Sequence, residues 1–373
     1  MPAPSGSASG ASELFIGLMT GTSLDGVDAV LADCAQRVPR PMAHVHRALP
    51  PGLRAELLAL NAPGNDEIHR SHIASQELAR CCADAVTALL HESGVQARAV
   101  RAIGAHGQTV RHRPDLGYTV QLNAPALLAE LCGIDVVADF RSRDIAAGGQ
   151  GAPLVPAFHR IAFSGDKPRA VVNIGGISNI TFLDGEKVLG FDAGPGNVLI
   201  DGWMSARFDA PFDADGALAA TATPDEDLIH ALMAEPYFTA APPKSTGRDL
   251  FTLDWVLRAL GDRELDAKTV LATLTELTAR AIGDALLQWA PNAAEVLVCG
   301  GGARNATLIR ALQRRAGTRP VRLTDSVGVP SDQVEALAFA WLAKCHVQRI
   351  AGNLPEATGA TGARVLGALY PAG

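Results

Sequence analysis

The most polar turn of the chain follows its first apolar run. Residues 19–26 read MTGTSLDG. The hydroxyls of the two threonines and the serine, together with the backbone N–H of Gly21, can wrap a polyphosphate. Asp25 could hold a water molecule on Mg²⁺, and Asp28 follows on the next strand. The alternative is an elaborate hairpin in which these hydroxyls only satisfy the backbone of the turn, and this stretch alone leaves both interpretations open.

A second apolar run ends in a carboxylate. Residues 191–197 read FDAGPGN, in which the glycines and the proline force a sharp turn and Asn197 starts a helix. Asp192 would then project from the carboxyl end of a strand, where ligand-facing groups commonly lie in open α/β sheets. The alternative role for Asp192 is to cap the helix.

The third turn contains three consecutive glycines. Residues 298–305 read VCGGGARN, so backbone can approach a ligand closely, and Asn305 is expected to cap the next helix. A tight strand-to-helix turn is the alternative. The two commonest phosphate cradles are missing, because no GxxxxGK[ST] occurs and GPGNVL at 194–199 lacks the third glycine of GxGxxG.

Two histidine pairs could be mistaken for metal ligands. His44 and His46 share one face of a strand, and His69 and His72 lie one helical turn apart. A protein metal site normally takes at least three protein ligands, and neither pair has a third nearby in the sequence. We therefore expect solvated histidines.

The elements that position the first turn form a strand, turn and strand, followed by a third strand and then helices. The predicted order is strands at 14–20, 27–33 and 42–49, helices at 52–60 and 71–93, a strand at 99–107, a helix at 123–133 and a strand at 134–140. Gly94 is expected to end the long helix, Asn123 to cap the next one and Pro125 to lie in its first turn.

The second half repeats this order. It predicts a strand, turn and strand over 169–185, a strand at 187–197, a helix at 266–290, a strand at 294–302, a helix at 305–315, a strand at 320–324 and a helix at 332–347. The boundary between the halves is expected near 140–165. Pro242, Pro243 and the following KSTGRD predict an exposed loop.

Length and composition restrict the class of protein. The chain has 373 residues, 48% hydrophobic and 19% charged, which predicts two globular domains. A net charge of −7 argues against wrapping nucleic acid or docking on anionic lipid. The six cysteines lack metal-finger spacing, and no uncharged apolar run reaches the length of a membrane span. We expect a cytoplasmic protein with buried thiols and a disordered tail over residues 1–12.

The two hairpin starts and the two later glycine turns, in this order, resemble the superfamily of acetate and sugar kinases, actin and heat-shock ATPases. Longer stretches resemble the anhydro-N-acetylmuramic acid kinase family in particular, from residue 14 onwards. They are GLMTGTSLDGVDAVLAD (17–33), GAHGQTVRHRP (104–114), QLNAPALLAE (121–130), ADFRSRDIAAGGQGAPLVPAFH (138–159), NIGGISNIT (173–181), GFDAGPGNVLID (190–201), CGGGARNATL (299–308) and DQVEALAFAWLA (332–343).

The resemblance implies an α/β fold of the duplicated, two-lobed ribonuclease H-like type, with the active site in the cleft between the lobes. It places the N-terminal lobe at 13–145 and the C-terminal lobe at 146–373, with the last segment packing back on the first lobe. It also suggests a homodimer.

The same resemblance implies that ATP and Mg²⁺ are used and that Asp192 is the catalytic base. Asp25 would reach the metal through water. The implied ATP-binding residues are Gly21, Thr22, Ser23, Leu24, Asp25, Gly26, Val27, Asp28, Gly175, Gly176, Asn179, Gly194, Gly196, Asn197, Gly300, Gly301, Gly302 and Asn305.

The implied reaction opens the 1,6-anhydro bridge of the sugar with water and phosphorylates O6, giving N-acetylmuramic acid 6-phosphate and ADP in cell-wall recycling. O6 carries no proton in the substrate, so Asp192 would take one from the attacking water. The chain departs from the family pattern at Thr20, where Ser is expected, and at Ala193, where Thr is common. Neither hydroxyl is needed for this chemistry.

The implied substrate contacts begin with Arg141, whose fork suits the lactyl carboxylate of the sugar. Arg143 could do the same or lie in an exposed ion-pair loop. His106 and Gln108 would contact hydroxyl or amide groups, Asp144 lies beside the arginines, and Glu335 would accept from a sugar hydroxyl or lie charged on a helix surface.

Two rival functions share part of this pattern. A kinase of the same fold could act on a simple hydroxyl or carboxylate without using water. A non-catalytic ATP-driven switch would hydrolyse ATP without a small-molecule acceptor. We prefer the interpretation that the partner is a small molecule, the anhydro amino sugar, and that neither nucleic acid nor a membrane is bound.

Overall fold

The structure, a computed structural model, describes residues 12–21, 23–247 and 250–373. The predicted tail at 1–12 lies outside this range except for Ser12, and so does Thr22. The described strands are β1 Leu14–Met19, β2 Gly26–Asp33, β3 Arg40–Ala48, β4 Val100–Ala105, β5 Gln108–Arg113, β6 Tyr118–Leu122, β7 Val136–Ala138, β8 Arg169–Ile174, β9 Ile177–Asp184, β10 Lys187–Pro195, β11 Glu295–Cys299, β12 Val321–Leu323 and β13 Ala368–Tyr370.

The helices of the described residues lie mostly between and after these strands. They are α1 Pro51–Ala59, α2 Glu67–Ser93, α3 Pro125–Cys132, α4 Ser142–Ala146, α5 Val155–Phe163, α6 Val198–Phe208, α7 Glu226–Met233, α8 Leu253–Leu260, α9 Ala267–Trp289, α10 Ala306–Ala316, α11 Val334–Val347 and α12 Pro355–Thr358. Among them, none combines the length and the apolar character that a bilayer-spanning helix needs.

Two sheets repeat one topology. The first has the order β13-β7-β4-β1-β2-β3, with β1 to β3 antiparallel and β4 parallel to both β1 and β7. The second has the order β10-β9-β8-β11-β12, with β8 to β10 antiparallel and β11 parallel to β8 and β12. Each is a three-stranded meander extended by two parallel strands. The predicted α/β class with a duplicated fold is confirmed.

Helix α11 lies directly on the first sheet because two strand glycines make room for it. A Cβ atom on Gly17 of β1 would come 1.7 Å from the carbonyl oxygen of Ala336. One on Gly104 of β4 would come 2.1 Å from that of Phe339. The helix and sheet backbones therefore approach closely, which fixes where the first turn of α11 and its Glu335 lie.

One hydrophobic cluster joins the two sheets. Phe15 of β1, Phe158 of α5, Val171 of β8 and Phe339 of α11 are buried in it together. The opposite face of the first sheet packs against α2, and that of the second against α9 and α10. The last segment of the chain returns to the first sheet, where β13 pairs with β7.

Several local predictions are confirmed and others are wrong. Gly94 ends α2 in the left-handed conformation, and Pro125 lies in the first turn of α3. Asn123 does not cap α3: Ala124 takes that position, and the Asn123 amide nitrogen donates to the carbonyl of Ala105 at 3.3 Å. The helix predicted to start at Asn197 is confirmed as α6, whereas the sequence did not predict the β5–β6 hairpin or the helices α7 and α8.

Candidate active site

The first turn joins β1 to β2 and keeps its polar groups at the sheet edge. Leu24 donates its N–H to the carbonyl of Gly21 at 3.2 Å and has a φ of 58°. The hydroxyl of Ser23 donates to the Asp25 carboxylate at 2.7 Å. The side chains of Leu24 and Val27 are buried in the core, so only their backbone can face a ligand. Thr22 lies outside the described residues.

The histidines at the base of this turn are not simply solvated. His44 Nε2 and His46 Nδ1 lie 3.1 and 3.0 Å from the same oxygen of Asp28. Burial works against ionisation of this carboxyl, but the two histidines together hold its pKa below the ordinary value. The hydrogen bond to Asp28 raises the pKa of His46. His46 is exposed, as expected, and so are His69 and His72, whereas the His44 side chain is mostly buried, so the expectation of a solvated residue is wrong at 44.

The second turn packs against the β8–β9 turn. Gly196 N–H donates to Gly176 and Asn197 N–H to Gly175, both at 2.8 Å. A Cβ atom on Gly196 would come 2.2 Å from the carbonyl oxygen of Gly175, so only glycine fits there. Opposite Asp192 in the β9–β10 register lies Asn179, whose buried Oδ1 has no hydrogen-bond partner in the described part of the chain. The two turns therefore form one polar wall.

The third turn closes on the same wall. Gly300 has a φ of 82°, and a Cβ atom there would come 2.4 Å from Asn173 Oδ1. One on Gly302 would meet the side chain of Ile174 at 2.3 Å. A Cβ atom on Gly301 would lie 3.6 Å from Asn197 Nδ2, an ordinary van der Waals distance. Asn305 caps α10 by accepting from Leu308 N–H, as predicted. The glycines leave a surface of backbone against which a flat ring could lie.

Asp192 is buried and held at a break in its strand. Its side chain is only 7% exposed, and the β9–β10 register shifts between Asp192 and Gly194. Its Oδ2 accepts from Thr246 N–H at 3.0 Å, so it does not cap α6. Burial raises the pKa of Asp192 to about 7, against the opposing effects of Thr246 N–H, Arg141 and Lys244. A carboxyl with this pKa can take up a proton near neutral pH.

The loop predicted to be exposed instead supports Asp192. Lys244 is only 8% exposed, and its carbonyl accepts from Asp192 N–H at 3.1 Å. Its Nζ donates to the carbonyl of Tyr237 at 2.8 Å, and the Tyr237 hydroxyl donates to the carbonyl of Asp192 at 2.9 Å. Sequence reasoning missed these residues. The only sequence feature that marks this segment is the Pro-Pro-Lys-Ser-Thr run, and such a composition predicts an exposed loop, not a support for a buried carboxylate.

Arg141 and His106 form a buried pair. The guanidinium donates to His106 Nε2 through Nη2 at 2.9 Å and Nε at 3.2 Å. Burial, with Arg141 adding to the effect, lowers the pKa of His106 to about 3, so the ring stays neutral. Since Nε2 accepts, Nδ1 carries the proton, and this buried atom has no partner in the described residues. Gln108 Oε1 is also buried and has no hydrogen-bond partner among the described residues.

Glu335 joins these groups from α11. Its carboxylate is hydrogen-bonded to Asn173, while burial raises its pKa to about 7. Asp25, Asp28 and Arg141 all influence its charge, and Arg141 in turn is influenced by Asp192. The structure thus brings the first turn, Glu335, Arg141 and Asp192 into one electrostatic neighbourhood.

The hydrogen bonds of Asp144 are to a loop and to the end of the chain, and not to the first turn, Glu335 or Asp192. Its side chain is fully buried, and one oxygen accepts from Gly151 N–H at 2.8 Å. The other accepts from Asn353 and Thr358 at 2.7 and 2.8 Å. Because Arg141 donates to the carbonyl of Gly151 at 2.8 Å, Asp144 holds the loop that orients Arg141. Its contacts do not support the predicted direct contact with substrate. Arg143 lines an outer cavity with Arg364 instead.

The residues present fit a nucleotide with a metal ion. A Cβ at Gly196, Gly300 or Gly302 would clash with β8 or the β8–β9 turn, so these glycines bring the second and third turns close together. Beside them, Asn179 Oδ1 has no partner among the described residues and is available to a nucleotide. Within the described ranges no three His, Cys, Asp or Glu residues cluster as metal ligands. Mg²⁺ is usually held by phosphate oxygens and waters with one or two carboxylates, and Asp25, which is exposed at the first turn, could supply one of them.

The chain matches known proteins over almost its whole length. The family model described as anhydro-N-acetylmuramic acid kinase matches residues 13–372. A protein of that name from Bordetella pertussis is 56% identical over 364 residues, covering 96% of each chain. Another from Cupriavidus pinatubonensis is 53% identical over 367 residues, covering 96% of this chain and 98% of its own.

Solved structures are more distant. A ROK family glucokinase from Streptomyces griseus, in complex with glucose and AMPPNP, is 16% identical with a TM-score of 0.41, covering 89% of this chain and 99% of its own. A structural similarity this weak gives no information about activity, and the family of the chain is shown by its sequence relatives alone.

Proposed function

The chain belongs to the anhydro-N-acetylmuramic acid kinase family, and is thus a phosphotransferase, and we propose that it couples hydrolysis to phosphorylation. In this proposal water opens the 1,6-anhydro bridge of anhydro-N-acetylmuramic acid while O6 takes the γ-phosphoryl group of ATP. The products are N-acetylmuramic acid 6-phosphate and ADP.

The single observation that carries the proposal is the state of Asp192. Its carboxylate is buried at a strand end, is held by Thr246 N–H at 3.0 Å, and has its pKa raised to about 7. A base of this strength suits water, whose proton must be removed as its oxygen attacks. O6 of the anhydro sugar carries no proton because it is tied into the bridge, so water is the group that needs a base.

The proposed proton path uses this carboxylate alone. Asp192 takes one proton from water as the water oxygen bonds to C1, and the C1–O6 bond breaks. The released O6 bonds to the γ-phosphorus of ATP, and ADP leaves. Arg141, which influences the charge of both Asp192 and Glu335, would stabilise negative charge that develops between them.

The sugar side of the proposal uses unpartnered buried atoms. Arg141 would receive the lactyl carboxylate, because a guanidinium fork matches a carboxylate in geometry and charge. The Nδ1–H of His106 offers a donor and Gln108 Oε1 an acceptor to the hydroxyl and amide groups of the sugar. Glu335 would accept from a sugar hydroxyl. A buried polar atom without a partner costs free energy, which a ligand can recover.

The nucleotide side uses the three glycine turns. The first turn, with Gly21, Ser23 and Gly26, and the second, with Gly194 and Gly196, would hold the phosphates through backbone N–H groups. Gly300 to Gly302 would line the adenosine. When bound, Mg²⁺ would neutralise charge on the phosphates, and Asp25 could hold it through water.

The physiological setting is also a proposal. The reaction consumes ATP, which is a cytoplasmic compound, so we propose a cytoplasmic enzyme of peptidoglycan recycling and amino-sugar catabolism. A homodimer is the proposed assembly, and sedimentation equilibrium of the full chain would determine it.

The reaction in ¹⁸O-labelled water tests the coupled chemistry. We expect the label at C1 of the sugar phosphate and none in its phosphate group, because water attacks carbon and not phosphorus. Mass spectrometry of the product reads both positions. An unlabelled sugar product would instead favour a simple hydroxyl kinase, and ADP formation that the sugar does not stimulate would favour an ATP-driven switch.

Asp192→Asn tests the base. General-base action contributes about 10²–10⁴ to rate, so this variant should lose most turnover and still bind ATP. The matched control is Asp209→Asn, the same chemical change at an exposed residue with φ 49° after α6, where asparagine is well accommodated. Turnover of Asp192→Asn near the wild-type rate would exclude the assignment.

A further inference from the structure

Two adjoining cavities lie at the surface near α4 and the end of α11. Their volumes are about 460 and 420 Å³, within the range of roughly 300–1,000 Å³ that small-molecule sites occupy. Arg143 and Arg364 line both, and Arg349 lines the second. These residues have no part in the proposed chemistry of the cleft.

The arginines have unused binding capacity. In the part of the chain that the structure describes, the guanidinium groups of Arg143 and Arg349 have no hydrogen-bond or ion-pair partner. Arg364 uses one nitrogen, Nη1, to donate to the carbonyl of Ala363 at 2.9 Å. Each group offers several N–H donors in a planar fork. Most of this capacity is therefore available to a ligand.

The charge around these cavities is unbalanced. No Asp or Glu is among the residues that line either cavity within the described ranges. His346 also lines the second one, with Nδ1 donating to the carbonyl of Leu366 at 2.8 Å. Three permanent positive charges thus meet in a protein whose net charge is −7. An anion would offset their mutual repulsion.

We propose that Arg143, Arg349 and Arg364 form a second anion-binding site, for a phosphate dianion that is either free or carried by a small metabolite. A phosphate group has several terminal oxygens that can accept from guanidinium forks, and its two charges balance most of the three on the protein. The cavities are partly open to solvent, and their volumes match a small molecule. The three arginines take no direct part in the chemistry proposed for the cleft.

The site is also connected to the cleft by hydrogen bonds. The backbone N–H of Arg364 donates to Asn353 Oδ1 at 2.6 Å, and the Asn353 amide donates to Asp144 at 2.7 Å. Asp144 accepts from Gly151 N–H, and the carbonyl of Gly151 accepts from Arg141. The cavity wall and the residue proposed to bind the sugar carboxylate thus belong to one network.

Calorimetric titration of the full chain with inorganic phosphate tests the proposal. ADP is kept at saturation to fill the nucleotide phosphate positions, and ionic strength is held constant with potassium chloride. We expect binding that the double variant Arg143→Gln/Arg349→Gln weakens by at least about tenfold, because two charge-assisted contacts are lost. Since neither side chain has an intramolecular partner, the variant should fold normally, which thermal unfolding checks.

Arg98→Gln/Arg101→Gln is the matched control. It removes the same charge at two exposed arginines before and within β4, so wild-type affinity is expected. The proposal fails if wild type binds no phosphate, if the double variant binds like wild type, or if the control weakens binding equally. A parallel titration of wild type and the double variant with N-acetylglucosamine 6-phosphate distinguishes the sources. Tighter binding than phosphate that the double variant weakens indicates a phosphorylated metabolite, and equal binding that it weakens indicates the free ion, whereas binding that the double variant leaves unchanged belongs to the cleft and counts against the site.

Discussion

At the scale of single residues, Asp192 is buried, and its carboxyl forms no close ion pair with any other residue that the structure describes. A pKa of about 7 in the folded chain, against an ordinary value of 3.8, means that the folded state binds a proton more readily than the unfolded state. The stability that protonated Asp192 contributes is therefore fully present below about pH 4 and is lost as pH rises through 7.

This sign gives a stability prediction. Between pH 5 and pH 8 the wild-type free energy of unfolding should fall by about 2 kcal/mol more than that of Asp192→Asn, whose amide does not titrate. Urea denaturation at both pH values measures the difference. Other titrating groups, Glu335 among them, are present in both proteins and cancel in the comparison. Equal losses in the two proteins would show that Asp192 has an ordinary pKa.

The same residue shows how far sequence reasoning reached. A carboxylate between an apolar run and a glycine turn could be recognised from residue type and position alone. Its environment could not, because Lys244 and Thr246 contact Asp192 across more than fifty positions of the chain. Likewise, His44 and His46 lacked a third neighbour in the sequence, and only strand pairing brings Asp28 between them. Long-range packing decides these contacts.

At the scale of elements, the position of Glu335 depends on how closely α11 lies on β1 and β4. Gly17→Ala should destabilise the protein by about 3 kcal/mol or more, since a methyl group 1.7 Å from the Ala336 carbonyl forces the helix away from the sheet. The measurement is urea denaturation, combined with KM for the sugar. We expect KM to rise, because Glu335 precedes Ala336 on the displaced turn.

Gly52→Ala is the control for this prediction. Gly52 lies in α1 with no atom within 4 Å of the added Cβ, so the substitution should be neutral or stabilise slightly through helix propensity. If Gly17→Ala were as stable as Gly52→Ala, the close approach of α11 to β1 would be refuted.

Element prediction succeeded where local periodicity was strong. The two meanders, α2 and α9 have apolar spacing that the sequence reveals directly, whereas α11 is apolar on nearly all sides and was predicted from the length of its apolar run. The β5–β6 hairpin was missed because its strands are short, polar and partly exposed. Asn123 had the residue type of a cap, but the helix begins one residue later, after Ala124, and the Asn123 amide nitrogen instead donates to a carbonyl of β4, a contact between residues 18 positions apart.

At the scale of the whole molecule, the proposed ligands would contact both halves of the chain. The first turn, Arg141 and His106 belong to the first half, whereas Asp192 and the turn at Gly300 belong to the second. A site shared in this way favours closure of the lobes on ligand, and the reaction needs it, because one water must reach C1 while bulk water is kept from ATP.

If the two lobes close on their ligands, the whole molecule should become more compact when both ligands are bound. Small-angle X-ray scattering should show a smaller radius of gyration with a non-hydrolysable ATP analogue and the anhydro sugar together than with neither. Asp192→Asn should close equally under the same conditions, since the base is needed for turnover and not for the contacts that draw the lobes together. The control separates closure from catalysis. Scattering curves that superimpose with and without both ligands would contradict closure, and would place the exclusion of bulk water in local loop movements instead.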